Sequence, residues 1–210
     1  MSRKDFAVSV LDALEAAYPD AVCSLIAKEP WQLLCAVRLS AQCTDARVNL
    51  VTKELFEAFP TLDSLADAPI EAVENIVRPC GLFKVKAQNL KDCCQMIRDQ
   101  FNGVVPDNME DLLTLPGVGR KTANLILGDV YGKPAVVCDT HCIRICNRLG
   151  FIKTTDPYKA ELGLKEILPP DRSNDFCHRL VLFGREYCTA RGPKCDSCPL
   201  AILCTYHMDY

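Results

Sequence analysis

The sequence predicts an all-α protein, and three observations lead to that prediction. Nearly every segment spaces its apolar residues three and four apart, which is the period of an amphipathic helix. Prolines and glycines fall between these segments, where they begin or end helices. The connections are short, so the helices are expected to pack as bundles. One apolar run, residues 135–138, resembles a strand and is interpreted as a buried connection.

Each helix begins and ends at a local signal. Apolar spacing from Phe6 to Leu14 predicts the first helix. Pro30 opens a segment that is apolar nearly all round, which predicts a central buried helix. Thr44 or Asp45 caps the next helix, and later helices are expected to begin near Pro69, Lys84, Asn108, Lys121, Thr140, Pro157 and Ser173.

Composition limits the possible classes of protein. The chain has 210 residues, enough for one or two domains, and 49% of them are hydrophobic. Its net charge of −3 argues against coating nucleic acid non-specifically, although a local patch with backbone amides remains compatible with DNA binding. We find no transmembrane run and no signal peptide, so a cytoplasmic protein without membrane contact is expected.

Residues 115–124 form the most informative motif, a tight hairpin predicted between two helices. Gly117 and Gly119 can adopt backbone angles that other residues avoid, and they let the backbone approach another molecule. The second helix presents free N–H groups and its positive dipole end, a site suited to a DNA phosphate. The alternative is an ordinary helix–helix turn, because Pro-Gly and Gly-x-Gly sequences are common.

Lys121 and Asp139 are the candidate reactive pair. Lys121 lies one residue inside a helix start, where the dipole disfavours a cation and so favours the neutral, nucleophilic amine. Asp139 precedes the helix that begins at Thr140, where backbone N–H groups stabilise an ionised carboxylate. The alternatives are a solvated surface lysine and a simple helix cap. As a pair, one side chain would attack while the other accepts a proton or stabilises positive charge.

Fourteen cysteines divide into two groups. The last four follow the pattern Cys188-x6-Cys195-x2-Cys198-x5-Cys204, in a loop too short for its own apolar core. Four thiolates at this spacing can hold one metal centre, and we favour an iron–sulfur cluster over zinc or two disulfides. The others include small core residues of a reducing compartment, namely Cys35, Cys43, Cys80, Cys93, Cys94, Cys142 and Cys146.

Basic residues lie near each of these motifs. Each alone is more often part of a solvated face, but together with the hairpin they would line one groove of phosphate contacts. The groups are Lys84, Lys86 and Lys91; Arg120 and Lys121; and Arg185, Arg191 and Lys194.

Three motifs together closely resemble the endonuclease III family: residues 115–124, residues 137–141 and the four-cysteine pattern. Residues 39–45 and 81–83 also resemble loops of that family, and the match runs over about residues 30–204. Cys43 is a departure within the first of these loops. The family comprises bifunctional DNA glycosylases with abasic-site lyase activity.

The resemblance implies an architecture and a set of site residues. Two helical domains are expected to flank a DNA-binding cleft: a six-helix barrel over residues 23–133, and a cluster domain over residues 1–22 and 134–210. Lys121 matches the nucleophile and Asp139 the catalytic carboxylate, and Gln42 and Leu82 match the side chains that fill the gap left by a flipped nucleotide. The hairpin residues expected at the DNA are Leu115, Gly117, Val118, Gly119 and Arg120.

The resemblance also implies the substrate and the cofactor. The expected substrate is double-stranded DNA carrying oxidised pyrimidines or abasic sites, bound by a monomer. Cys188, Cys195, Cys198 and Cys204 would ligate a [4Fe–4S] cluster that folds a basic loop. An adenine mismatch glycosylase of the same superfamily is an alternative, although such enzymes lack the hairpin lysine. A non-catalytic DNA-binding module and a redox protein are the alternatives from other classes.

Overall fold

The computed structural model describes residues 2–204 and Tyr206, whose regular secondary structure is helical, with no strand among them. The all-α prediction is therefore confirmed. Short 3-10 turns cover residues 78–80, 170–172, 195–197 and 201–203. The α-helices are α1 (Arg3–Ala17), α2 (Pro30–Leu39), α3 (Asp45–Ala58), α4 (Leu62–Ala66), α5 (Ile70–Val77), α6 (Phe83–Gln100), α7 (Met109–Leu112), α8 (Arg120–Asp129), α9 (Thr140–Arg148), α10 (Pro157–Lys165) and α11 (Ser173–Glu186).

The chain divides into two units. One is Ser24–Tyr131, which holds α2 to α8, and the other combines α1 with the chain that follows Tyr131. The predicted cluster domain also includes Met1, Thr205 and residues 207–210, which lie outside the described residues. No helix in the described part of the chain is long and apolar enough to cross a membrane.

Helix α2 forms the centre of the Ser24–Tyr131 unit. Pro30 occupies its first turn, where a missing N–H costs nothing, and eight of its ten residues are buried. It packs against α3, α6 and α8, so it supports both the helix that follows the hairpin and the long helix α6. The prediction of a central buried helix is confirmed, because a helix that is apolar all round must be covered on every side.

Aromatic packing joins the helices of the other unit. Helix α11 packs against α1 and α9. The rings of Phe6 and Phe151 meet edge to face at 5.4 Å, and Phe151 lies 6.3 Å from Phe176. Residues 135–138 are buried and form no strand, as predicted. This unit therefore has an apolar core of its own, on which α9 is held.

Two local predictions differ from the structure. Helix α4 was not predicted; it spans only five residues, too few to show the apolar period of a helix. Ser173 was predicted to cap α11, but it is the first residue of that helix and its hydroxyl donates to the carbonyl of Pro170 at 2.8 Å. The 3-10 turn that precedes α11 provides this acceptor, so the serine closes the turn instead of capping the helix.

Candidate functional site

The hairpin between α7 and α8 uses its two glycines differently. Gly117 has φ +75°, in the left-handed region, and the N–H of Val118 donates to the carbonyl of Leu115 at 3.0 Å to close the turn. Gly119 is extended, with φ −101°, and is the N-cap of α8. Of the two glycines, only Gly117 uses the left-handed conformation that other residues avoid.

Arg38 of α2 lies directly against the left-handed glycine. A Cβ atom built on Gly117 would be 2.4 Å from Nε and 2.9 Å from Cζ of Arg38, whereas one on Gly119 would meet nothing within 4 Å. The Nε atom of Arg38 is buried without a hydrogen-bond partner among the described residues. The turn therefore packs against the guanidinium group and Cδ of Arg38, which leave no room for a side chain at position 117.

The hairpin presents backbone, and not apolar side chains, to its surroundings. Leu115 and Val118 are buried, at 2% and 9% exposure, while both glycines are exposed. Because Gly119 has no side chain, none caps α8, and the first helical hydrogen bond runs from the N–H of Ala123 to the Gly119 carbonyl at 2.9 Å. The amino end of α8 therefore has the character of an anion site. Lys121, the second residue of α8, is exposed there.

The two predicted gap-filling residues share an unusual backbone. Gln42 has φ +57° and Leu82 has φ +48°, and only one other described non-glycine residue, Asn102, has a positive φ. Both side chains are exposed, Leu82 to 63%. Left-handed backbone is costly for such residues and is concentrated at functional sites. Two independent loops thus hold a strained, exposed residue at their tips.

Lys86 connects these two loops through hydrogen bonds to their backbone carbonyls. Its side chain is 3% exposed, and its Nζ donates to the carbonyls of Leu39, Ala41 and Cys80 at 3.0, 2.8 and 2.7 Å. Burial lowers its pKa, although three acceptors suit its charged form. The prediction that Lys86 and Lys91 line a phosphate groove is wrong, because the ammonium of each binds backbone carbonyls of the protein, that of Lys91 the carbonyl of Ala68. The spacing of four between Lys86 and the apolar Leu90 of α6 is compatible with an inward position, but the sequence does not identify the carbonyls that accept its hydrogen bonds.

Asp139 is the N-cap of α9, which was the structural alternative to a reactive role. It is half-buried, and its Oδ1 accepts a hydrogen bond from the N–H of Cys142 at 2.7 Å. The thiols of Cys142 and Cys146 are fully buried behind it, and burial and neighbouring thiols raise the pKa of each. The cap therefore holds Oδ1 of the carboxylate through a backbone hydrogen bond.

The four C-terminal cysteines line one pocket. Its empty volume is about 390 Å³, part of it open to solvent, and Ile145, Phe183 and Tyr187 also line it. All four thiols are free. Within residues 2–204 and Tyr206, no three metal-binding side chains converge closely enough to hold a single metal ion. The thiols instead surround the pocket.

Two arginines of α9 bind the cysteine loop, and the sequence reasoning missed both. The guanidinium of Arg148 donates to Cys188 Sγ at 3.1 Å and to the Thr189 carbonyl at 2.8 Å. Arg144 donates to the Cys188 carbonyl through Nε at 3.1 Å and Nη2 at 2.9 Å. The spacing of four is the only signal in the sequence, since it places both side chains on one face of α9. Helix α9 therefore carries Asp139 at its amino end and holds the cysteine loop farther along.

Comparison with known proteins gives the relatives of this chain. Residues 35–170 match the model of the HhH-GPD superfamily base excision DNA repair protein. The chain is 44% identical to endonuclease III of Synechocystis over 97% of its length and 93% of that protein. It is 37% identical to endonuclease III of Escherichia coli K12, covering 95% and 94% of the two chains.

The chain belongs to the endonuclease III family. A solved structure titled as a trapped endonuclease III–DNA covalent intermediate has a TM-score of 0.92 and 41% identity, and covers 100% of this chain and 98% of its own. A non-covalent endonuclease III–DNA complex matches equally well. A thermostable thymine-DNA glycosylase, 21% identical with a TM-score of 0.87, shares the fold. The resemblance drawn from the sequence motifs is thereby confirmed. The roles of the individual site residues remain predictions.

Proposed function

We propose that this member of the endonuclease III family excises oxidised pyrimidines from double-stranded DNA and cleaves the strand at the resulting abasic site. Such an enzyme is a bifunctional DNA glycosylase and abasic-site lyase. The observation that carries the proposal is the exposed Lys121 at the uncapped start of α8, in a chain that matches endonuclease III over nearly its whole length. A DNA-binding module without catalysis would have no use for a nucleophile at that place.

Lys121 is the proposed nucleophile. Its neutral amine attacks C1′ of the damaged nucleotide, the glycosidic bond breaks and the base leaves with a proton. Ring opening and loss of the amine proton give a Schiff base between Nζ and C1′. The iminium acidifies C2′, so removal of a C2′ proton expels the 3′ phosphate by β-elimination. Hydrolysis of the imine then returns Lys121 as the free amine.

Asp139 is the proposed catalytic carboxylate. Base departure develops positive charge on the sugar, and a preorganised anion stabilises that charge where it forms. The carboxylate also accepts the proton that Lys121 must lose. The hydrogen bond from the Cys142 N–H holds Oδ1 and supports a fixed orientation for Oδ2.

Gln42 and Leu82 are proposed to fill the gap left in the duplex. An enzyme that acts on a base inside DNA must first swing that nucleotide out of the stack. Both residues project from loop tips in left-handed conformations, and a 63% exposed leucine is suited to enter an apolar base stack. Their exposure and strain support a role that is realised only when DNA is bound.

The hairpin is proposed to bind the DNA backbone. Leu115 and Val118 would contribute through their backbone, since their side chains are buried. The exposed Gly117 and Gly119 let a phosphate approach the amino end of α8, where the dipole favours an anion. Arg120 would add a positive charge at the same place.

Cys188, Cys195, Cys198 and Cys204 are proposed to ligate a [4Fe–4S] cluster. Four free thiols around one pocket, with a guanidinium 3.1 Å from one sulfur, fit a cluster of thiolates that carries net negative charge. The cluster would supply a structural centre for the basic loop over residues 188–204. None of the catalytic steps above involves it.

We propose two domains and a monomeric state for the chain. Residues 23–133 would form the six-helix barrel domain, and residues 1–22 with 134–210 the cluster domain. We propose that the protein works as a monomer on DNA in the cytoplasm. Size-exclusion chromatography with light scattering, with and without an abasic-site duplex, tests the stoichiometry.

Borohydride trapping on a duplex with an abasic site tests the proposed function. Borohydride reduces the Schiff base to a stable amine, so the native protein should become covalently attached to DNA. Lys121→Gln should bind the same duplex and yield no adduct. Lys53→Gln, an exposed lysine of α3, is the matched control and should trap normally. An adduct with Lys121→Gln would place the nucleophile elsewhere, and no adduct with native protein would favour a non-catalytic module.

A further inference from the structure

We propose that Lys86 is a positioning residue that fixes the two gap-filling loops in the shape in which they enter DNA. The proposal rests on the roles proposed above for Gln42 and Leu82. Lys86 itself is buried and does not reach the DNA. It is assigned its role by the carbonyls that it binds, which come from both loops and from no other part of the described chain.

The hydrogen bonds of Lys86 are placed at the bases of both loops. Leu39 and Ala41 precede Gln42 in the first loop, and Cys80 lies two residues before Leu82 in the second. A lysine ammonium has three N–H donors, and here each one has a carbonyl acceptor. Carbonyls that are shielded from water require partners, and Lys86 supplies one to each of these three. One cation therefore connects two segments that are about forty residues apart in sequence.

The backbone of Lys86 contacts the second loop as well. Its N–H donates to the carbonyl of Leu82 at 3.0 Å, the first helical hydrogen bond of α6. Leu82 is thus held on both sides, through its own carbonyl and through that of Cys80. Left-handed backbone at a leucine persists only where the surroundings over-determine it. The exposed side chain of Leu82 offers little packing for that purpose, so the hydrogen bonds to Lys86 are the main constraint.

Lys91 provides a matched comparison on the same helix. Lys91 is half-buried, and its ammonium also donates a hydrogen bond to a backbone carbonyl. The acceptor is Ala68, which follows α4. Ala68 belongs to neither gap-filling loop. Loss of Lys91 therefore reports what removal of a carbonyl-bound lysine from α6 does to the unit in general. Loss of Lys86 reports the same effect and, in addition, the release of the loops.

The test compares two substrates with Lys86→Met and Lys91→Met. Methionine keeps the apolar length of lysine and removes all donors. We expect Lys86→Met to lower excision from a duplex carrying an oxidised pyrimidine on the order of 10²-fold, as when a supporting change misplaces a group by about 1 Å. Cleavage at a preformed abasic site should change little, because no base must be unstacked. Lys91→Met should leave both rates near those of the native protein.

A double-mutant cycle separates positioning from a merely structural role. If Lys86 acts through the loops, its removal should cost little further excision in a protein already carrying Gln42→Ala and Leu82→Ala. Independent multiplication of the two effects would overturn the proposal, as would equal losses on both substrates. Lys86→Arg, which keeps donors at the site, should recover part of the activity, and it serves as the folded variant if Lys86→Met unfolds. No recovery with folded Lys86→Arg would also count against the proposal.

The outcomes also distinguish this inference from the proposed function. Failure of native protein to form the borohydride adduct would overturn the enzyme assignment itself. Normal trapping combined with unchanged excision in Gln42→Ala and Leu82→Ala would overturn the gap-filling roles, and with them the role of Lys86. Normal trapping with additive losses would overturn the role of Lys86 alone.

Discussion

The two hairpin glycines should respond differently to replacement by alanine, Gly117 mainly in stability and Gly119 mainly in DNA binding. Gly117→Ala forces a Cβ into left-handed backbone, which costs about 1–2 kcal/mol. That Cβ would also lie 2.4 Å from Arg38 Nε and 3.2 Å from its Cδ, so the arginine stem must move. Overpacking of this kind costs about 1–3 kcal/mol. The free energy of unfolding should therefore fall by about 2–5 kcal/mol, a large share of the roughly 5–15 kcal/mol of a typical domain.

Gly119→Ala is the matched control for stability. Its φ of −101° suits any residue, and a Cβ there meets nothing within 4 Å. The remaining cost is the poorer N-cap that alanine makes, about 1 kcal/mol or less. Its open surroundings are the proposed path of a phosphate, so the added methyl should weaken binding to an abasic-site duplex instead. The two variants thus separate turn geometry from ligand approach.

Urea unfolding and DNA titration check both expectations. Adding Arg38→Ala to Gly117→Ala should recover the steric part of the loss and leave the conformational part, because the two changes share one contact. Equal unfolding free energies for Gly117→Ala and Gly119→Ala would refute the reasoning. So would unchanged DNA affinity in Gly119→Ala, which would leave the hairpin as an ordinary turn.

Three further predictions concern the other site residues. Asp139→Asn should excise bases on the order of 10²–10³-fold more slowly, as for loss of one preorganised electrostatic group. It should unfold at the same urea concentration as the native protein, because asparagine caps helices as well as aspartate. A wild-type excision rate would show that Asp139 serves only as a helix cap. Leu82→Ala should slow excision from a lesion duplex more than cleavage at a preformed abasic site, and equal losses in paired kinetic assays would contradict a gap-filling role. Purified protein should contain about four irons per chain, as a tetrathiolate cluster requires. Cys195→Ser should lower that ratio, and it should weaken DNA binding more than it weakens Schiff-base formation. Stoichiometric zinc in elemental analysis of the native protein would contradict the cluster.

Local signals in the sequence predicted much of the candidate site. The break between α7 and α8 follows from a proline and two glycines, and the cap at Asp139 follows from a carboxylate before an apolar-periodic run. Both features depend on neighbours within a few residues. The four cysteines were found in the same way, because their spacing lies within one loop.

The supporting residues could not be predicted because their contacts are not local. Arg38 meets Gly117 across the unit. Two of the three carbonyls that Lys86 binds, those of Leu39 and Ala41, lie 47 and 45 residues before it in sequence. A lysine or arginine letter ordinarily indicates solvent, so each was assigned to the surface or passed over. A lysine or arginine can point into the protein where backbone carbonyls need a hydrogen-bond donor. The fold determines where such carbonyls lie, so the local sequence does not show which cations face inward.

The burial of most thiols bears on how the protein would acquire iron. Eight of the fourteen cysteines are buried, and six, including the four around the C-terminal pocket, are not. The thiols of Cys93 and Cys146 are 4% and 0% exposed, so they are closed to an incoming metal in the folded chain. In the folded chain an iron donor would therefore find four accessible sulfurs close together around the C-terminal pocket. Burial in the apolar core would keep the eight buried thiols from binding iron during cofactor assembly. Cysteines in the core of this chain would therefore not compete with the four pocket cysteines for the proposed cluster.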